Sequence, residues 1–169
     1  MTKRIALFAL LLVAAMGLQA QSIVGTWKTS MMDDGQKMDF YFVFTQSTLT
    51  MKGTMTQHDP EVGTITVSVK VPGTYTRSGN TLNVKTAPSQ AKLSIDKMDF
   101  VGELAQLMKQ SPEMKKMLED QVQKAMEGSK GEIVSGFPKS GQITIVQNTG
   151  TKLLLRDETG ETLNFTKVR

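Results

Sequence analysis

The sequence contains no cysteine, and this absence excludes several kinds of function. Without thiols the chain has no disulfide, no thiolate zinc site, no thiol catalysis and no lipid anchor attached through cysteine. A chain of 169 residues buries enough surface to fold without such cross-links. We therefore expect one globular domain that depends on an ordinary hydrophobic core.

Histidine and aromatic residues are also scarce. His58 is the single histidine, and aromatic residues make up 6% of the chain. His58 precedes Asp59-Pro60 in a predicted turn, where a solvated side chain is the favoured interpretation. No motif places a Ser or Thr as a nucleophile, and no particular pair of acids is indicated for glycoside hydrolysis. We predict that the protein is not an enzyme.

An excess of charge of one sign is missing too. The formal net charge is +4, and it falls to +2 when Lys3 and Arg4 are left out. Such a small excess does not favour binding to nucleic acid or to an anionic membrane surface.

One long apolar run is present, at Ile5 to Leu18, directly after Lys3 and Arg4 and shortly before Ala20. It is shorter than the roughly 18 to 20 residues that span a bilayer, and the pattern is that of a secretory signal. We predict a signal peptide at 1–20, a single domain at 21–169 and no transmembrane segment in the mature chain. The expected location is periplasmic or extracellular, in soluble form.

Threonine divides the rest of the chain. There are twenty threonines, and none lies between Thr86 and Thr144. On both sides of that interval apolar and polar residues alternate with period two, which predicts half-buried strands. The alternating runs are Ile23–Met31, Met38–Thr45, Thr48–Thr56, Thr64–Val71, Thr74–Arg77, Thr81–Thr86, Gln142–Gln147, Thr151–Arg156 and Glu161–Val168, with a possible further strand at Lys92–Asp96.

Turn signals separate these runs and predict an antiparallel meander. They are Asp33-Asp34-Gly35, Asp59-Pro60, Ser78-Gly79-Asn80, Asn148-Thr149-Gly150 and Asp157-Glu158-Thr159-Gly160.

The interval without threonine has helical periodicity. Asp99 to Lys109 carries apolar residues at spacings of three and four, and Ser111-Pro112-Glu113 predicts the start of a second helix that ends at Gly128. Gly128 to Gly141 is predicted to be a loop. The expected architecture therefore includes a helical insertion at about 98–128.

An apolar face on nearly every strand requires a closed sheet to bury it. Two Tyr and one Trp cannot form the aromatic girdles of a membrane barrel. The predicted fold class is mainly β, an antiparallel up-and-down barrel of about 8–10 strands with an inserted helical segment. The interior of a barrel of about eight strands is either filled by side chains or able to hold one small ligand.

Gly25-Thr26-Trp27 on the first strand resembles the Gly-x-Trp motif of lipocalins. The closing stretch 151–169, with Leu153-Leu154-Leu155 and the ending Leu163 to Val168, is similar to the same group. The chain thus resembles the exported lipocalin-like (calycin-type) proteins of bacteria. The resemblance implies that Trp27 packs across the base of the barrel under a basic side chain. The candidates for that side chain are Lys167, Arg169 and Arg156.

The resemblance also implies a small hydrophobic or amphipathic ligand in the barrel interior. The candidate pocket residues are Trp27, Met31, Phe40, Phe42, Phe44, Met51, Met55 and Tyr75. The same residue types also make ordinary cores. The alternative is a non-enzymatic interaction or inhibitor module of the cell envelope, with a filled barrel, in which the helical insertion binds a protein partner.

Methionine is abundant, with twelve residues. Thioethers suit Cu(I), but methionine also fills irregular gaps in cores. The helical methionines follow the apolar stripe, which favours packing, and Asp33, Asp34 and Asp39 lack the ligand spacing of a calcium loop. We predict no metal site and no cofactor.

Overall fold

The structure is a computed structural model, and it describes residues 21–33, 36–135, 137–138 and 140–168. The predicted signal peptide at 1–20 lies outside the described residues, as do Asp34 and Gly35 of the first predicted turn. Within the described part, no helix is both long and apolar enough to cross a membrane.

Nine strands and three α-helices lie in the described part of the chain, with one 3-10 turn at Pro88–Gln90. The strands are β1 (Gly25–Asp33), β2 (Gln36–Phe44), β3 (Thr48–Asp59), β4 (Gly63–Ser78), β5 (Thr81–Thr86), β6 (Lys92–Phe100), β7 (Gly141–Asn148), β8 (Lys152–Arg156) and β9 (Thr162–Lys167). The helices are α1 (Gly102–Gln110), α2 (Pro112–Gly128) and α3 (Lys130–Ser135).

Eight of the strands close into an antiparallel barrel in the order β3-β2-β1-β9-β8-β7-β5-β4, with β4 returning to β3. The remaining strand, β6, lies on the edge of β4. It pairs with Gly63–Lys70 of β4, while β5 pairs with Gly73–Ser78 on the same edge. The predicted mainly β barrel with a helical insertion is confirmed.

The alternation in the sequence fixes which side of each strand faces the core. On β3, Leu49, Met51 and Gly53 are buried, while Thr50 and Lys52 between them are only partly covered. A strand buried on one face alternates in this way because successive side chains point to opposite sides. The apolar faces of all eight barrel strands therefore meet inside.

One end of the barrel is filled by aromatic side chains. Trp27 has no exposed surface, and its Nε1 donates a hydrogen bond of 2.7 Å to the carbonyl of Ile23. The Nζ of Lys167 lies 5.4 Å from the centroid of the Trp27 ring, so Lys167 is the basic residue over this tryptophan. The Tyr75 hydroxyl donates to the carbonyl of Thr45 at 2.6 Å. We call this part of the molecule the closed end.

The opposite end is open because β1 and β9 pair over only two residue pairs. Trp27 pairs with Lys167 and Lys28 with Thr166. From Thr29 onward, β1 pairs only with β2, and the first half of β9 pairs only with β8. The barrel wall therefore parts between these two strands, and we call this part the open end.

The helical insertion starts later than the sequence predicted. Asp99 and Phe100 pair with Thr64 and Gly63, which keeps them in β6, and α1 begins only at Gly102. The predicted boundaries at 98 for the insertion and at 99 for the first helix were therefore wrong. The second helix begins at Pro112 and ends at Gly128 as predicted, although the hydroxyl of the preceding Ser111 makes no capping hydrogen bond.

The predicted loop at 128–141 was also wrong, because it contains α3. The helix buries Val134, and the chain after it buries Phe137. The Phe137 ring packs against Phe40, with ring centroids 6.1 Å apart. A Cβ atom at Gly53 would lie 2.9 Å from Cζ of Phe137 and 3.3 Å from Cγ1 of Val69. Glycine at position 53 therefore makes room for the Phe137 ring on the sheet.

The helices α1 and α2 lie against β6, the edge strand. The Nε2 of Gln123 in α2 donates to the carbonyl of Leu93 in β6 at 3.4 Å. None of the side chains of α2 is buried. This helix therefore contributes less to the core than to covering backbone groups on the edge of the sheet.

We expect Gly53→Ala to destabilise the protein by about 1–3 kcal/mol, because the added methyl group overpacks the contact with Phe137. In a Phe137→Ala background the same substitution should lower the free energy of unfolding much less, because the ring that it would contact is absent. Denaturant unfolding of the wild type, both single variants and the double variant measures this coupling. If the changes in unfolding free energy of the two single variants add strictly in the double variant, the glycine at position 53 is not required for the packing of the Phe137 ring.

Two carboxylates on the outer face are held in polar networks. Asp96 accepts hydrogen bonds from Ser68 at 2.8 Å, Ser94 at 3.0 Å and Lys52 at 3.1 Å. Asp39 pairs with Lys28 at 2.8 Å. Burial acts to raise the pKa of Asp96 and of Asp39, but their hydrogen bonds outweigh it, and both pKa values lie below the ordinary value of 3.8.

A lowered pKa in the folded state stabilises the protein at pH values above the unfolded pKa of about 3.9. This stabilisation is lost as the pH falls through the folded pKa values. We therefore expect Asp96→Asn to lower the free energy of unfolding at pH 7. The variant should then lose less unfolding free energy than the wild type between pH 5 and pH 2. Urea unfolding across that range measures both effects.

The matched control for this experiment is Asp120→Asn on α2, which should leave the acid dependence unchanged. If the wild type and Asp96→Asn lose stability equally on acidification, the carboxylate of Asp96 does not contribute as described.

Candidate functional site

A cavity of about 500 Å³ lies at the open end, between the two parts of the wall that separate there. Phe137, Pro138 and the residues 140–143 form its third side. The apolar residues that line it are Met31, Phe40, Phe42, Phe137, Pro138, Ile143, Leu155, Leu163 and Phe165.

The strand alternation places these apolar side chains inside. Phe42 and Phe165 approach each other across the seam between β1 and β9, with ring centroids 4.7 Å apart. Both are buried, at 4% and 2% exposure, so they form the floor of the cavity above the filled closed end. Leu163, two residues before Phe165, is half-buried and lines the wall nearer the mouth.

Polar groups surround the mouth of the cavity. One carboxylate oxygen of Glu158 accepts a hydrogen bond from the backbone N–H of Gln142 at 2.6 Å, which ties the turn between β8 and β9 to β7. The Asp157 carboxylate accepts from the Thr159 hydroxyl at 2.7 Å and from the backbone N–H of Glu161 at 2.9 Å. The hydrogen bond from the Thr159 side chain, together with those from backbone N–H groups, lowers the pKa of Asp157 below its ordinary value.

The structure brings three of the eight sequence-predicted pocket residues to this cavity, namely Met31, Phe40 and Phe42. Four others are buried in the core and do not line it: Trp27, Phe44, Met51 and Tyr75. Met55 is 36% exposed and also lies outside the lining.

His58 and Arg77 are polar residues that lie away from the cavity. Arg77, on the same strand face as Tyr75, donates to the carbonyl of Gln21 at 2.9 Å and so fastens the segment before β1. His58 is exposed, and its Nδ1 lies 3.0 Å from the hydroxyl of Thr64. Neither residue lines the cavity.

Sequence reasoning missed most of the lining. Ile143, Leu155, Leu163 and Phe165 lie in strands that the alternation had located, so only their position relative to the opening was unknown. Phe137 lies in a segment without periodicity. Its one signal was Gly53, a glycine within an inward-facing run, which often marks the close approach of another part of the chain.

Within the described residues, no group of three or more His, Cys, Asp or Glu side chains is arranged to hold a metal ion. The arrangement at the open end is that of a binding site: an apolar floor, aromatic walls and a polar mouth.

One comparison with known proteins agrees with this architecture. No curated protein matches the chain. Residues 23–99 match a family model described as a lipocalin-like domain, and this range covers β1 to β5 and nearly all of β6. The resemblance inferred from Gly25-Thr26-Trp27 is confirmed. Residues 23–99 are therefore similar to a lipocalin-like domain, and β7 to β9, which lie outside the matched range, close the same barrel.

Proposed function

We propose that the protein, once exported, binds one small hydrophobic or amphipathic molecule in the cavity at the open end. Export rests on the sequence pattern of residues 1–20 alone. The observation that carries the binding proposal is the cavity of about 500 Å³ beside a filled core. This volume lies within the roughly 300–1,000 Å³ of small-molecule sites. The lipocalin-like domain adds support, since this is generally a fold for binding rather than catalysis.

The apolar body of the ligand would lie against Phe42 and Phe165 on the floor and between Phe40 and Phe137 on one side. Each Å² of apolar surface that leaves water contributes about 25 cal/mol before the costs of association are subtracted. The aromatic walls also accept flat groups in offset or edge-on contact. These features favour a ligand with a ring or a short alkyl chain.

The polar mouth would hold a head group. All the charged side chains that line the cavity among the described residues are acidic: Asp157, Glu158 and Glu161. A carboxylate head group would be repelled by these charges, whereas an ammonium group would be attracted. The arrangement therefore favours neutral or cationic amphiphiles over anionic ones.

We expect Leu163→Trp to reduce binding of the neutral fluorescent probe N-phenyl-1-naphthylamine by about tenfold or more, equivalent to 1.4 kcal/mol. The larger side chain would occupy the cavity from its wall. Fluorescence titration of the full chain measures the probe affinity.

The control is Val146→Trp, because Val146 is 41% exposed on β7 and lies outside the lining. Thermal unfolding of both variants checks that each remains folded. If a folded Leu163→Trp binds the probe as the wild type does, the cavity is not the binding site. The exposed helical residues Met114 and Met117 then become the surface to test for a protein partner.

Competition between ligands tests the choice of head group. Dodecylamine should displace the probe at a lower concentration than dodecanoate at pH 7, because the acidic mouth attracts the ammonium group. In Glu161→Gln this difference should shrink, since one of the three negative charges is removed. A stronger effect of dodecanoate would contradict the proposed role of the mouth.

A further inference from the structure

Three methionines form a row across adjacent strands at the open end. Met31 of β1 pairs directly with Met38 of β2, and Met38 pairs directly with Met55 of β3. Directly opposed residues in an antiparallel pair point to the same face, with Cβ atoms about 4.5–5.5 Å apart. The three thioether side chains therefore start side by side on one surface.

That surface is the inner face of the sheet. Met38 is two residues from Phe40. Met55 is two residues from Gly53, over which the Phe137 ring packs. Because strand side chains alternate, Asp39 and Lys37 point to the other face. The next partner in the row is Val67, opposite Met55. The strand residues directly paired along this row therefore supply sulfur and hydrocarbon to this face, with no carboxylate.

Packing in the core does not account for the row. Met51, on the same face of β3, has no exposed surface, whereas Met31 is 44% exposed and Met55 36% exposed. None of the three methionines of the row belongs to the core cluster or to the partly buried residues packed against it. Met31 and Met55 can therefore be reached from solvent, and Met38 between them is half-buried.

Thioether sulfur is a soft ligand that prefers Cu(I) to hard or borderline divalent cations. Methionine has an unbranched side chain with three rotatable bonds, so neighbouring residues can turn their sulfur atoms toward a common point. The concave inner face of a barrel brings such side chains closer together than a flat sheet would. We propose that Met31, Met38 and Met55 form a three-thioether site for a soft monovalent cation, Cu(I), with Ag(I) as its redox-inert analogue.

The first test is titration of the full chain with Ag(I), followed by anaerobic titration with Cu(I) against a chromogenic Cu(I) chelator. We expect saturable binding of one equivalent. Met38→Leu should weaken binding most, because Met38 lies between the other two, and Met31→Leu and Met55→Leu should each weaken it by about tenfold or more. Outer partners of metal ligands alone contribute about 10- to 100-fold in affinity, so loss of a ligand should cost no less.

Leucine keeps the apolar character and approximate volume of methionine, so these variants should fold. Met32→Leu is the matched control. Met32 is adjacent to Met31, is 70% exposed and points to the opposite face, so its loss should leave the affinity unchanged. Equal weakening by Met32→Leu, or none by Met38→Leu, would overturn the proposal.

A second measurement follows the sulfur ligands directly in the wild type. With methionine methyl groups labelled with ¹³C, one equivalent of Ag(I) should shift the resonances of Met31, Met38 and Met55 together. The resonances of Met114 and Met117 on α2 should stay in place. Shifts confined to the helical methionines, or no saturable shift, would refute the site. Met31 also lines the cavity, so probe binding is measured in Met38→Leu, whose changed residue lies outside the lining, and the two proposals can then fail separately.

Discussion

The pairing of β1 with β9 over only two residue pairs determines where the barrel is closed and where it is open. Where Trp27 pairs with Lys167, the barrel is closed and its interior is packed solid. Beyond Lys28 the two strands separate, and the same inward-facing pattern lines a cavity instead of a core. One alternating sequence therefore produces both the stable end and the candidate site. The boundary between the stable end and the candidate site is the point at which β1 and β9 stop pairing.

Much of the fold could be predicted from local patterns. Period-two alternation located the strands, whereas the placement of Trp27 at the base of the barrel under a basic side chain came from the resemblance of Gly25-Thr26-Trp27 to lipocalins. One predicted break between strands was wrong, because Thr64–Val71 and Thr74–Arg77 belong to the single strand β4. The intervening Pro72 is tolerated since it lies between the stretch paired with β6 and the stretch paired with β5.

The site was harder to predict because it depends on register and on one distant contact. Alternation shows that Phe42 and Phe44 share a face, but not that Phe42 borders a cavity while Phe44 is packed against Tyr75. Phe137 reaches the sheet from a segment without periodicity. The cross-strand row of methionines likewise emerges only when three strands are aligned, since the sequence separates Met38 from Met55 by a turn.

Trp27 gives the molecule a built-in spectroscopic reporter. It is the single tryptophan of the chain, its ring has no exposed surface, and an ammonium group lies 5.4 Å above it. Its intrinsic fluorescence therefore originates wholly at the closed end, close to the two residue pairs that join β1 to β9. The emission spectrum of Trp27 therefore reports on the packing of the closed end, and the direct pairing of Trp27 with Phe42 places this reporter next to the floor of the cavity.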